Sequence, residues 1–400
     1  MKKVVIMGGG LNQMPLINKC KSEYYTVVCD ANKNAMGKDV ADEFRCIDIS
    51  DASKVVEVCR EIGAAGVVCN TESLMPCSAR VQTELGLVGN TPEAVMNSSD
   101  KFLFRQTQER AGVFYPKMQL FSDYETAKAY AAQSKVPLII KPAESSGSRG
   151  VKVLTTPEEL TREAFDICVS CSRNKKIILE DFVDFSGQTA LEAEVFLYEG
   201  KIEYVCLFRT LRDKKHNLVP QCYCSDTRVS KETEDRIRED LQKIFTAAGL
   251  KWGQYNVELT FTTGGDIFVI EINARQGGMM LPQFVRIYTG IDIDRLLITT
   301  AAGDDAYLQQ LRATEQVWSR SAIHFRMLAD QTGTFHGYHV DGEAKKYFKE
   351  EFLYFHEGEK VKLSENGFAS IGTLDFVFDS VEQAGEFEEL LFDAVRIDIV

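Results

Sequence analysis

The stretch Asn256-Val257-Glu258-Leu259-Thr260-Phe261-Thr262-Thr263-Gly264-Gly265-Asp266-Ile267-Phe268-Val269-Ile270-Glu271-Ile272-Asn273 decides how the rest of the chain is read. Two alternating apolar and polar runs flank Gly264-Gly265, the composition of a two-residue hairpin turn. With those glycines as the turn, Val257 faces Ile272, Leu259 faces Ile270 and Phe261 faces Phe268, all on one apolar face. On the other face Glu258 lies across from Glu271, and Asn256 across from Asn273. Opposed side chains start about 4.5–5.5 Å apart and like charges there destabilise a sheet, so the pattern calls for a cation between the two acids. Two carboxylates and the Asn273 amide oxygen form a hard, all-oxygen set that suits Mg2+, with Mn2+ as a substitute, completed by phosphate oxygens. The same acids on a merely solvated sheet face are the competing reading.

Basic elements elsewhere favour the cation. Val136-Pro137-Leu138-Ile139-Ile140-Lys141-Pro142 reads as a buried strand ending in lysine, followed by Ala143-Glu144-Ser145-Ser146-Gly147-Ser148-Arg149-Gly150. Small residues let backbone N–H groups approach an oxyanion, and Lys141 adds a point charge. The run is not a P-loop, which would end in Gly-Lys-Ser/Thr before a helix. By composition alone it would serve equally as a hairpin loop.

Upstream, Lys3–Met7, Tyr25–Cys29 and Gly66–Asn70 are short apolar runs alternating with helical stretches, the signature of a parallel, doubly wound sheet. Glycines follow the first run, but Gln13 stands where a dinucleotide fingerprint requires Gly or Ala. This argues against an NAD(P) oxidoreductase. Asn90-Thr91-Pro92 and Asn97-Ser98-Ser99-Asp100 mark a boundary, with a helix starting near Lys101. The expected organisation is a Rossmann-like unit over 1–95, a small α+β unit over 96–185, a larger one with the metal site over 186–305, and an α+β region over 306–400. The fold class is thus α/β combined with α+β.

Composition bounds the partners. The chain has 400 residues, 44% hydrophobic and 26% charged, which fits a folded chain of more than one domain. Its net charge of −13 argues against nucleic-acid or anionic-membrane partners. Eleven cysteines, an odd number, read as reduced thiols, and no secretory h-region follows Met1, so a cytoplasmic location is expected. Neither Cys168-x-x-Cys171 nor Cys222-x-Cys224 has partners at zinc-site spacing. A homodimer is the default assembly, because homodimers are commonest.

Lys101, the Lys141 strand and its loop, Glu180-Asp181-Phe182-Val183, and Glu258…Glu271-x-Asn273-x-Arg275 follow one another as in the ATP-grasp superfamily. The resemblance covers roughly residues 1–300. It is closest to the branch of carbamoyl-phosphate-synthetase-like, biotin-carboxylase-like and amino-acid ligases, whose preceding α/β domain the N-terminal segment resembles. The resemblance implies ATP as cosubstrate, with Lys101 and Lys141 on its phosphates and Ser145, Ser146, Gly147, Ser148 and Gly150 in a lid over them. It places Glu180 on the adenine amine, Asp181, Phe182 and Val183 along the ring edge, and either Glu192 or Glu194 on the ribose. Glu258, Glu271 and Asn273 would hold one or two metal ions, and Arg275 would meet the transferred phosphoryl group or a substrate carboxylate.

The implied activity is ADP-forming ligation of a small-molecule carboxylate to an amine, amino acids among them, through an acyl phosphate. A non-catalytic ATP-binding regulator and a carbamoyl-phosphate-synthetase- or carboxylase-like subunit are the rival readings. The basic segment from Arg209 to His216 is expected either near the acceptor site or as a solvated surface loop.

Overall fold

The computed structural model describes all residues except 136, 145–149, 213–219, 316 and 365–369. The expected lid residues Ser145, Ser146, Gly147 and Ser148 therefore lie outside the described residues. An N-terminal sheet is built from β1 (Lys3–Met7), β2 (Tyr25–Asp30), β3 (Glu43–Cys46) and β4 (Gly66–Cys69), ordered β3-β2-β1-β4 and parallel throughout. Its strands are apolar on both faces because helices cover both sides, among them α1 (Met14–Glu23), α2 (Ala52–Ile62) and α3 (Met75–Leu85). Next come α4 (Pro92–Ser99) and α5 (Lys101–Ala111). The Asp100 carboxylate starts α5 by accepting from the N–H groups of Phe102 and Leu103, both at 2.9 Å.

A second, antiparallel sheet contains β5 (Met118–Phe121), β6 (Leu138–Pro142), β7 (Lys152–Leu154) and β8 (Ile177–Asp181) in the order β5-β8-β6-β7. It packs on α6 (Tyr124–Ala131) and α7 (Arg162–Cys171). The largest sheet has eight strands: β9 (Leu191–Tyr198), β10 (Lys201–Arg212), β11 (Pro220–Cys224), β12 (Gly253–Phe261), β13 (Ile267–Asn273), β14 (Ala322–Leu328), β16 (Phe348–Leu353) and β18 (Ser370–Val377). Their order is β13-β12-β9-β10-β11-β14-β18-β16, so strands after residue 320 continue the sheet that carries the paired acids. β15 (Gly333–Val340), β17 (Lys360–Val361) and β19 (Val395–Ile399) form a small separate sheet.

One face of the large sheet buries Val257, Leu259 and Ile272 under α8 (Lys231–Ala248), whose Ile237, Leu241, Ile244 and Phe245 form its apolar stripe. On the other face, α9 (Leu281–Thr289) and α10 (Ile293–Ala301) cover the part of the sheet beside the acids. α10 also carries the N-terminal sheet, packing Ile298 and Ala301 against Val4, Ile6 and Val68. The approach is close: a Cβ on Gly66 would stand 2.3 Å from the Ala301 carbonyl oxygen.

The hairpin differs from its reading in the sequence. Thr262 donates to the Asp266 carbonyl and Gly265 to the Thr262 carbonyl, both at 2.9 Å, and Gly265 has φ +86°. The loop is therefore Thr263-Gly264-Gly265, a turn closed by a left-handed glycine rather than a two-residue turn. Leu259 accordingly pairs with Val269 and Phe261 with Ile267, not with Ile270 and Phe268. A bulge then inserts Ile270, which restores the expected pairs Glu258–Glu271, Val257–Ile272 and Asn256–Asn273. The carbonyls at the bulge are satisfied from α5: Gln108 Nε2 donates to Val269 O at 2.9 Å and Arg105 Nη1 to Ile270 O at 3.1 Å.

Candidate active site

Strand register gathers six polar side chains into two rows. Glu192, Glu258 and Glu271 sit in register on adjacent β9, β12 and β13, and Glu194, Asn256 and Asn273 form the neighbouring row. Asn256 Nδ2 reaches Glu194 at 3.0 Å and Glu192 at 3.4 Å, and Asn273 Nδ2 reaches Asn256 Oδ1 at 3.5 Å. Burial, then Glu192 and Glu271, push the Glu258 carboxyl above the usual range, only partly offset by Arg212 and Arg275. Burial raises Glu192 in the same way. Carboxylates kept from water beside one another call for positive charge. Lys101 Nζ stands 3.9 Å from Glu271 Oε1.

Among the described residues no three acidic, histidine or cysteine side chains are gathered tightly enough to cage an ion by themselves. The donors here, two carboxylates and an amide, instead fit a divalent ion that takes its other ligands from phosphate and water.

The acid expected to meet adenine is held by two cations. The Glu180 carboxylate is buried and accepts from Arg105 Nε at 2.9 Å and from Lys141 Nζ at 2.8 Å. Burial opposes its charge, yet Arg105 and Lys141 outweigh that and hold its carboxyl below the usual range. Lys141 moves the other way. Burial and the neighbouring Arg105 charge lower its ammonium to about 8 despite the pairing with Glu180. The N–H groups of Asp181 and Phe182 donate to the carbonyls of Lys117 and Pro137, both at 2.8 Å.

Of the two acids expected on a ribose, Glu194 is wholly buried. It accepts from Gln254 Nε2 at 2.8 Å, Asn256 Nδ2 at 3.0 Å and the Gly277 N–H at 2.8 Å. It fastens the chain after β13. Burial raises its carboxyl to about 7. Arg275 Nη2 donates to Glu72 Oε2 at 2.8 Å, so a carboxylate of the N-terminal unit already occupies the fork expected to receive a substrate. Gly150 has φ +73°, and a Cβ there would meet Cys171 Cβ at 2.9 Å.

Arg209 is not part of a solvated loop, and residues 213–216 of the basic segment lie outside the described residues. It is buried, ion-paired with Glu388 and hydrogen-bonded to the Asp226 carbonyl at 3.2 Å. It ties β10 to the last helix.

The sequence reading gave no site role to Arg105, Glu72 or a buried pair behind the site, His324 and Asp375. Arg105 and Gln108 follow Lys101 at one-turn and two-turn helical spacing, a signal that was available. His324 was not legible, because its partners come from distant segments: Asp375 Oδ1 at 2.7 Å and the Met279 carbonyl at 2.8 Å. Met279 and Met280 are both left-handed, with φ 53° and 60°, conformations that non-glycine residues adopt at a cost.

A small antiparallel sheet and a larger one thus meet with a lysine beside a row of acids, an arrangement suited to holding phosphate together with a divalent ion. Residues 134–283 match the family model of the ATP-grasp domain; ATP and Mg2+ are the usual cofactors of that family.

The chain is 27% identical over 283 residues to the uncharacterized protein y4rH of Sinorhizobium fredii, covering 70% of this chain and 55% of that one. It is 22% identical over 292 residues to the carbamoyl phosphate synthase large chain of Pseudomonas aeruginosa, covering 68% of this chain and 27% of that one. It thus spans about half of the first relative and about a quarter of the second. Similar solved structures include an L-amino acid ligase from Bacillus licheniformis, with TM-score 0.82 and 19% identity over 100% of this chain and 99% of that one. Phosphoribosylglycinamide synthetase from Anaerococcus prevotii gives TM-score 0.80 and 18% identity over 100% of both chains. Among the described residues no helix is long and apolar enough to cross a membrane.

Proposed function

We propose that the chain is an ADP-forming ligase that activates a carboxylate as an acyl phosphate and passes it to an amine, with amino acids as the substrate class. The observation that carries this reading is the in-register row Glu192, Glu258 and Glu271, in which burial raises the first two carboxyls, beside the Lys101 ammonium. Glu258, Glu271 and Asn273 would hold a divalent ion, which when bound neutralises charge on the triphosphate.

The chain's own groups do the rest. Lys141, fixed by Glu180 and Arg105, and Lys101 hold the phosphates. Arg275 receives the substrate carboxylate by exchanging it for Glu72, and its planar fork orients one oxygen towards the γ-phosphorus. That oxygen forms the new P–O bond as the bond to ADP breaks. The amine then attacks the acyl carbon, phosphate leaves, and the amine gives up a proton. Positioning and charge neutralisation suffice for this chemistry. Val183 and the Asp181 carbonyl border the adenine site under the same reading, with Phe182 between them.

The test is ADP release over pairs of amino acids, with mass spectrometry of the products. A dipeptide-type product with stoichiometric ADP is expected, and Glu271→Gln should abolish both while the melting temperature holds. MgATP binding without turnover on any carboxylate and amine pair would favour the regulatory reading instead.

A further inference from the structure

A second polar site lies between the N-terminal unit and the strands that carry the acids. A cavity of about 50 Å3 is lined by Ser78, Gln254, Gln276 and Thr300, with Val67, Met75 and Leu297 among its apolar walls. Four buried oxygens of these residues have no hydrogen-bond partner among the described residues: Ser78 Oγ, Gln254 Oε1, Gln276 Oε1 and Thr300 Oγ1. Each of the four residues is more than nine-tenths buried. One such atom costs roughly 1–3 kcal/mol, so four around one cavity indicate an occupant.

The two amides fix its charge. Gln254 Nε2 donates to Glu194 Oε2 at 2.8 Å, and Gln276 Nε2 donates to Asp294 Oδ1 at 3.1 Å. With their NH2 groups committed to carboxylates, both amides keep their carbonyl oxygens as the unpartnered ends. Each dipole has a buried acid behind its positive end, which makes its oxygen more negative. Arg275 also lines the cavity, but its guanidinium is turned to Glu72.

We propose that this cavity binds a monovalent cation of the size of potassium or ammonium. Neutral carbonyl and hydroxyl oxygens replace the hydration shell of such an ion. A divalent ion would demand carboxylates in direct contact. A cavity needs on the order of 10–15 Å3 to hold one water, so there is room for the ion and a water or two. The ion joins α3 and α10 to the residues flanking Arg275, which links occupancy to the order of that segment. The inference is independent of the ligase reading.

The full chain is melted in choline, lithium, sodium, potassium and ammonium chlorides at equal ionic strength, and crystals are soaked in thallium(I) for anomalous density. Thr300→Val removes one oxygen, keeps the shape and serves as the control. Potassium, ammonium or both should raise the melting temperature by about 3 °C or more over choline and lithium, and thallium should appear in the cavity. Stabilisation by potassium alone or by ammonium alone identifies the physiological ion. The response should vanish in Thr300→Val, whose melting in choline is not lowered. Equal melting in all salts, a response that survives Thr300→Val, or only water density in the cavity overturns the proposal.

Discussion

Glu258 has a larger effect than its single charge suggests. It is flanked in register by Glu192 on one side and Glu271 on the other, so it carries the repulsion of the row. Glu258→Gln relieves that repulsion and keeps a side chain of the same shape. The expected outcome is an apo melting temperature raised by about 1–2 °C, together with loss of metal-dependent ADP formation; differential scanning calorimetry and an ADP assay check the two halves. Arg105 is the opposite case. Its removal leaves the Glu180 carboxylate with Lys141 as its remaining charged partner inside a buried site. Arg105→Met should cost about 3–5 kcal/mol in urea unfolding.

Elements matter through the backbone they hold. The chain from Arg275 to Met280 connects the acid-bearing β13 to α9, and each fastening comes from a different element. Asn256 N–H holds the Arg275 carbonyl, Glu194 holds Gly277, and His324 holds Met279. His324 is thus a positioning residue that lends the strands after residue 320 a part in the site. In His324→Phe the left-handed Met279–Met280 pair loses its anchor. We expect kcat to fall by at least about tenfold, roughly 1.4 kcal/mol, while KM for ATP stays within a factor of about two. His324→Gln, whose amide can still donate to Met279, should restore part of kcat. An equal loss of kcat and ATP affinity in both variants would mean that the pair only supports the fold.

Whole-molecule stability should follow the buried acids. Glu194 is raised to about 7 and Asp294 to about 6, and the Glu192–Glu258 pair also lies above the ordinary range. For a carboxyl raised on folding, the native state binds protons more tightly than the unfolded chain. The stability this gives is complete below the unfolded pKa of about 4 and is lost as pH rises through the folded values. The apo protein should therefore melt at progressively lower temperature between about pH 5 and pH 8. A cation among the acids favours their charged forms, so MgATP binding near neutral pH should release on the order of one proton. Calorimetric titrations in buffers of different ionisation heat measure that release, and a flat stability profile with no release would count against the buried row.

The sequence by itself determined the chemistry to be expected: alternation put Glu258 and Glu271 on one face, and the order of the Lys101, Lys141, Glu180 and Arg275 segments matched one family. Such signals are local, since a strand's two-residue period and a motif's spacing are both written within a few residues. The tertiary structure alone decided which carboxylates answer which cations. It gave Glu180 to Arg105 and Lys141, Arg275 to Glu72, and Glu194 to the chain after β13. It also made the turn one residue longer and corrected the register with a bulge anchored from α5. Those outcomes depend on contacts between segments far apart in the chain, where competition for a buried charge is settled by geometry and burial that no local pattern encodes.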